Sequence, residues 1–127
     1  MKIKIGTTVL GSGSQSREPG RIVASIAKGE IEVSPCIDAT APAIFDRKNR
    51  VIQDVVEVDY SYADFATANA AIPSLRKAAL GATGDLVYGT DTAAVTIGPA
   101  KVEQVELIEF IGCGLTMRYT IIATEAY

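Results

Sequence analysis

Histidine is absent from this 127-residue chain, and so is tryptophan. Losing histidine excludes Ser-His-Asp and Cys-His nucleophilic catalysis and takes the usual ligand from most zinc and iron sites. Aromatics are scarce, with five Tyr and three Phe, so the core must be built mostly from Val, Ile, Leu and Ala. Cys36 and Cys113 are the only cysteines. With no CxxC, no CxxH and no secretory signal, they read as reduced, small apolar residues rather than a disulfide scaffold. No run approaches the ~18 apolar residues of a membrane helix. Positive charge is also short: the net charge is −3, which argues against a basic nucleic-acid footprint. The longest basic cluster, Arg47, Lys48 and Arg50 beside Asp46, reads as a solvated turn.

What is present suits one globular domain over residues 1–127, since hydrophobic residues make up 48% of the chain. Charged residues are 21%, slightly below the usual ~25%, which fits apolar surface covered by other subunits and equally a well-packed monomer. The N-terminal Lys2-Ile3-Lys4-Ile5 alternates at once and lacks a long apolar leader, so a cytoplasmic origin is expected.

Alternation predicts a first strand over Lys2 to Leu10. Gly11 to Gly20 is the only low-complexity stretch and reads as a mobile loop. Arg21 to Val33 reads as a hairpin turning at Lys28-Gly29, and Asp46 to Asn49 as the next turn. From Val51 to Tyr62, Val56, Val58, Tyr60 and Tyr62 share one face of a strand, with Val55, Glu57, Asp59 and Ser61 on the other. Asp64 stands at an N-cap position, and Phe65, Ala68, Ile72, Leu75 and Ala79 form a helical apolar stripe. Gly81 suits the position after the helix, and Pro73 predicts a kink or a second short helix. Short strands follow at Leu86 to Tyr88 and at Ala93 to Ile97, the latter stopped by Gly98-Pro99. Two long strands, Lys101 to Ile111 and Leu115 to Thr124, close the chain around Gly112-Cys113-Gly114. Strands, helix, strands is a mainly β, α+β order: an antiparallel sandwich or split barrel with one kinked helix packed on it.

The chemistry-bearing residues do not converge. Glu103, Glu106 and Glu109 come three apart, so a regular strand would put Glu106 on the face opposite the other two. Asp54, Glu57 and Asp59 match no calcium loop. Gly11-Ser12-Gly13-Ser14 has phosphate-loop composition but no following Gly-Lys-Ser/Thr and no helix start. The tyrosines lack the basic groove a single-strand platform needs. No catalytic residue, metal site or cofactor is expected, and an enzyme is not.

Val55 to Phe65, the helix, Gly84-Asp85-Leu86-Val87 and Ile108 to Ile121 form a strand–helix–strand pattern with a closing β-hairpin. This resembles small phage structural proteins of the tail-tube and tail-completion type. The resemblance implies a β-sandwich or split barrel with one helix, and six subunits whose long hairpins build a tube. It implies a homo-oligomeric ring or tube, other virion proteins as partners, and DNA passing an acidic lumen without sticking. It also implies residence in the virion after assembly in the host cytoplasm. Interface candidates are Ser12, Ser14 and Arg17 in the loop, Arg21, Lys28, Glu30 and Glu32 in the expected hairpin, and Arg47, Lys48 and Arg50 in the expected turn. The competing expectation is a small-ligand module with an apolar pocket near Phe65, Ile72 and Met117.

Overall fold

Period-two alternation over most of the chain makes strands, and in the computed structural model they join in one antiparallel sheet of seven. The structure describes residues 1–11, 20–34, 43–90 and 93–126, with side chains unassigned at 30–34, 43–48 and 126. The chain runs through β1 (Lys2–Ile5), β2 (Thr8–Gly11), β3 (Gly20–Ser34), β4 (Ala43–Ser61), α1 (Phe65–Gly81), β5 (Gly84–Gly89), β6 (Ala94–Ile111) and β7 (Gly114–Ala126). Side by side the order is β2-β1-β5-β6-β7-β4-β3, open at both ends. The mainly β, α+β class expected from the sequence is therefore what forms.

The sheet curls until its distant parts touch. The Tyr60 hydroxyl on β4 donates to the Leu10 carbonyl on β2 at 2.6 Å, although four strands separate β4 from β2 in the sheet. Gly20, at the start of β3, lies so near β1 that an added Cβ would be 2.7 Å from Ile3 Cδ1. The core fills the concave side. Ile3, Ile5, Val56, Val58, Leu86, Leu115, Met117, Tyr119, Ile121 and Ala123 are all buried there. The two alternating faces read from the sequence, Val56 to Tyr60 and Leu115 to Ala123, are thus the core faces of β4 and β7.

Helix α1 packs on β6 and β7 through its stripe, burying Ala68, Ile72 and Ala79. Asp64 caps it as expected, accepting from the Thr67 N–H at 2.8 Å. That hydrogen bond, the first cause of the shift, holds the Asp64 carboxyl below its ordinary pKa. Pro73 neither ends the helix nor splits it: one 17-residue helix runs through it. Pro73 and Asn69, whose carbonyl loses its partner, both sit on the exposed side, where water can serve that carbonyl. Gly81 is the last helical residue rather than the one after it, and Ala82 is the C-cap, its N–H bonded to the Ala79 carbonyl.

Several turns expected from the sequence are not turns. Lys2 to Leu10 divides into β1 and β2 at Gly6, whose φ of +59° suits glycine. Lys28-Gly29 lies inside β3, so Arg21 to Val33 is one strand of a longer hairpin whose other strand is β4. Asp46 to Asn49 lies inside β4, because β3 pairs with it there: Ile31 is opposite Asp46 and Gly29 opposite Arg50, with a bulge between. Gly98-Pro99 does not stop β6, since a bulge against β5 and the positive φ of Gly98 absorb both residues. Gly112-Cys113 does form the tight β6–β7 turn, and Cys113 is a free thiol. Cys36 and most of the Gly11–Gly20 loop lie outside the described residues.

Candidate assembly interface

Two features of the β3–β4 hairpin set it apart from the rest of the sheet. The first is an open edge. β3 is 15 residues long and, among the described residues, pairs with β4 alone. Arg21 to Gly29 are all exposed, and Ile22, Val23 and Ile26 keep 41%, 46% and 52% of their surface. An edge strand presents a row of unpaired N–H and C=O groups, and natural monomers keep such edges short or covered.

The second is an arm. β7 pairs with β4 from Ser61 only as far as Asn49. Beyond that point, among the described residues, Ala43 to Asp46 pair with Ile31 to Ser34 alone, as a two-stranded ribbon. A two-stranded ribbon is marginal in water without further packing.

A ladder of charges crosses the convex face and ends at this edge. In register, Glu106 on β6 lies opposite Arg118 on β7, Arg118 opposite Glu57 on β4, and Glu57 opposite Arg21 on β3. The links are 3.6 Å for Arg118–Glu106, 3.7 Å for Arg118–Glu57 and 3.7 Å for Arg21–Glu57. Arg21 also donates to Asp59 at 2.7 Å, and Thr116 Oγ1 donates to the other Asp59 oxygen at 2.6 Å. Burial alone would raise the Asp59 pKa, but the hydrogen bonds from Thr116 and Arg21 and the Arg21 charge hold it below the usual range. The Asp59 hydrogen bond is the main reason the Arg21 pKa is raised. Arg21, Arg118 and Glu106 reach solvent, while Glu57, which two of the links share, is buried and has both arginines as ion-pair partners.

The candidate residues separate accordingly. Arg21 and Lys28 sit on the exposed β3 edge. Glu30 and Glu32 lie in β3, on a strand as expected, and Arg47 and Lys48 lie in β4 rather than in a turn. Arg50 lies in β4 between β3 and β7 and pairs with Glu125 on β7. Ser12, Ser14 and Arg17 lie outside the described residues.

Sequence spacing misplaced the carboxylates of β6. Bulges after Val102 and Leu107 reset its alternation, so Glu106 and Glu109 face the same side, opposite Arg118 and Thr116. Glu109 and Asp59 line an open cleft of about 200 Å³ by the β6–β7 turn, with Thr116 and Ile111. Among the described residues no group of three His, Cys, Asp or Glu could hold a metal ion. The residues expected to line an apolar pocket do not share one position. Ile72 and Met117 are in the core, while Phe65 is 61% exposed and stacks on Phe110 at 5.2 Å.

Inside the curl lies a polar cluster that sequence patterning did not find. Asp54 is 2% exposed and accepts hydrogen bonds from Ser25 on β3 and from the Tyr88 hydroxyl on β5, the latter at 2.6 Å. Tyr60 and Tyr119 join hydroxyls at 2.7 Å nearby in the core. The even spacing of Asp54 from Ile52 and Val56 was the available signal, because period two puts all three on one face.

No helix among the described residues is long and apolar enough to cross a membrane. No family model and no curated protein matches this chain. Among solved structures, the chain is similar to one described as the virion of a native gene transfer agent particle. The identity is 10%, the match covers 99% of this chain and 94% of that one, and the TM-score is 0.48.

Proposed function

We propose that this chain is a structural subunit that assembles with copies of itself through the β3 edge and the β3–β4 arm, as part of a phage-like particle. The observation that carries the reading is the 15-residue β3, open on one side and apolar at Ile22, Val23 and Ile26. Strand addition to such an edge gives main-chain hydrogen bonds along its length, and apolar side chains give selectivity. Edge charges usually guard against this. Here Arg21 is held by Asp59 and Glu57 on its own sheet and does not guard the edge. The absence of histidine favours an interface protein over an enzyme.

The finer position is the tail tube or a neighbouring ring, with other virion proteins on its faces and DNA passing an acidic wall without being trapped. Assembly would take place in the host cytoplasm before incorporation into the virion. The test is mass photometry with negative-stain microscopy of the purified chain across protein and salt concentrations. Rings or tubes are expected for the wild type, and a lone subunit of 13.4 kDa for the double variant Val23→Lys, Ile26→Lys. A wild type that stays a single subunit under every condition overturns the proposal.

A further inference from the structure

Resting on that reading, we infer that the β3 edge of one copy takes the free edge of β6 on the next: Gly20 to Ile26 run antiparallel to Lys101 to Leu107 of the second copy, with Arg21 opposite Glu106. β6 has β5 beside it only as far as Ala100. From Lys101 to Ile111, among the described residues, β7 is its sole strand partner. Helix α1 packs on β6 and β7 from the core side, burying Ala68, Ile72 and Ala79 there. Along the same stretch Glu103, Gln104, Glu106, Ile108 and Glu109 are exposed.

The two edges carry opposite charge. Gly20 to Gly29 holds Arg21 and Lys28 and no acid, while Lys101 to Ile111 holds Glu103, Glu106 and Glu109 against Lys101 alone. Opposite charges across a strand pair stabilise it, and like charges do the reverse. Arg21 and Glu106 are also the two ends of the charge ladder on the convex face. Each still reaches solvent, with 49% and 48% of its side chain exposed. Setting Arg21 against the next Glu106 carries the alternation of signs from one copy to the next.

Strand direction agrees with charge. β6, β7, β4 and β3 are four strands, each antiparallel to the next, so β6 and β3 run opposite ways. A second copy set alongside in the same orientation therefore presents β6 antiparallel to β3, with its convex face on the same side. The rows of the sheet supply the register. Arg21 shares a row with Glu106, Ala24 with Gln104, and Ile22 with Val105. Ile22, 41% exposed, thus gains an apolar neighbour in partly buried Val105. The pairing ends at Ile26, because β5 of the second copy takes that side of β6 at Ala100. The rest of the hairpin turns away there, helped by the bulge between Gly29 and Ile31. Unlike edges meeting head to tail repeat from copy to copy, and they close into a ring or continue as a helix. A β3–β3 pair would be self-complementary and would stop at two copies.

The experiment uses the full chain. Arg21→Glu sets like charges at every junction, and so does Glu106→Arg. Each is expected to move half-assembly to at least about tenfold higher concentration, the scale of a lost interfacial charge pair. Mixed in equal amounts, the two variants are expected to assemble near the wild-type concentration, because alternating copies restore an opposite pair at every junction. Damage confined to each variant's own ladder would not be repaired by mixing. A second readout does not depend on charge. With Cys36 and Cys113 replaced by Ala, Ala24→Cys and Gln104→Cys are combined in one chain and oxidised. Within a copy the two positions are three strand steps apart, about 14 Å at the usual ~4.8 Å spacing, beyond the reach of a disulfide. A series of covalent multimers is expected from the pair, and none from either cysteine alone.

Covalent dimers from Ala24→Cys alone, with no longer series from the paired cysteines, would overturn the inference in favour of a β3–β3 pair. A mixture that assembles no better than its components, with no multimers, would also overturn it. If Val23→Lys, Ile26→Lys still abolished assembly in that case, the β3 edge would remain the assembly surface and only the identity of its partner strand would fall. A wild type that never assembles would remove both.

Discussion

Tyr88 on β5 donates its hydroxyl hydrogen to buried Asp54 on β4, 2.6 Å away, across a sheet in which two other strands separate theirs. A flat sheet would hold those strands about 14 Å apart, three steps of the usual ~4.8 Å spacing. The bond thus bridges the hollow of the curl and is one of the contacts that hold it shut.

Removing it should therefore weaken the whole domain. Tyr88→Phe keeps the ring and leaves Asp54 with Ser25 as its remaining described donor. The expected loss is about 2 kcal/mol, the cost of taking a donor from a buried charged group. Thermal and denaturant unfolding followed by circular dichroism measure it, and an unchanged midpoint would refute the bridging role.

Alkaline pH tests the same bond without mutation. Burial first, and then the hydrogen bond and charge of Asp54, push the Tyr88 pKa well above the tyrosine value. The unfolded chain loses its proton near the ordinary value of about 10, before the folded one does. The stabilisation is fully present below that pH and is lost as pH rises toward the higher folded value. The expected slope for this one proton is about 1.4 kcal/mol per pH unit. Tyr88→Phe should flatten the pH dependence of stability above that point.

Acid acts on the edge instead. The Asp59 pKa is lowered in the fold, so its contribution is present above the unfolded value and is lost as pH falls through the folded one. Thr116→Val removes one of the hydrogen bonds responsible. An NMR titration of the Asp59 carboxyl should then show its pKa move up toward the ordinary ~3.9. The global fold should be little affected, because the pair is largely in solvent.

Pro73 is a position where the chain can be made more stable. It sits inside α1 on the exposed side, where alanine would restore a helical N–H. Pro73→Ala should stabilise the domain by up to about 3 kcal/mol, less whatever the proline saves by stiffening the unfolded chain. A lower melting temperature would show that the proline is set into the packing.

Gly6 should tolerate no side chain. At φ +59° its backbone lies against Thr83, and an added Cβ would be 2.2 Å from the Thr83 carbonyl oxygen. The left-handed conformation alone costs alanine roughly 1–2 kcal/mol, and the backbone clash must add to it. Gly6→Ala should lower the unfolding midpoint by more than Gly112→Ala, because Gly112 has a similar φ but open space around it.

The sequence was legible where one side of a strand is buried and the other is not. Leu115, Met117, Tyr119 and Ile121 alternate with Thr116, Arg118 and Thr120 and, with Ala123, occupy the core as expected. Asp64 was legible because capping is local chemistry. β3 was not, because both its faces are exposed from Arg21 to Gly29 and alternation therefore carries no information there. Its length is set by pairing with β4, which turned Lys28-Gly29 and Asp46 to Asn49 from apparent turns into strand. β6 misled in another way. One extra residue at a bulge leaves no mark in composition yet turns over every side chain beyond it, as Glu106 and Glu109 illustrate. The edge, which is the candidate site, was thus the part least open to pattern reading.

The arm also implies two rates of hydrogen exchange in a single chain. Amides of β4 and β7 around Val56 and Tyr119 lie in the middle of the sheet over a buried core, so they open only with the whole domain. Those of Ile31 to Val33 and Ile44 to Asp46 belong, among the described residues, to the β3–β4 ladder alone, so they open with the ribbon. A neighbour settling against the arm would slow the second set and leave the first unchanged, so that exchange along β4 would become a clock for contact between copies.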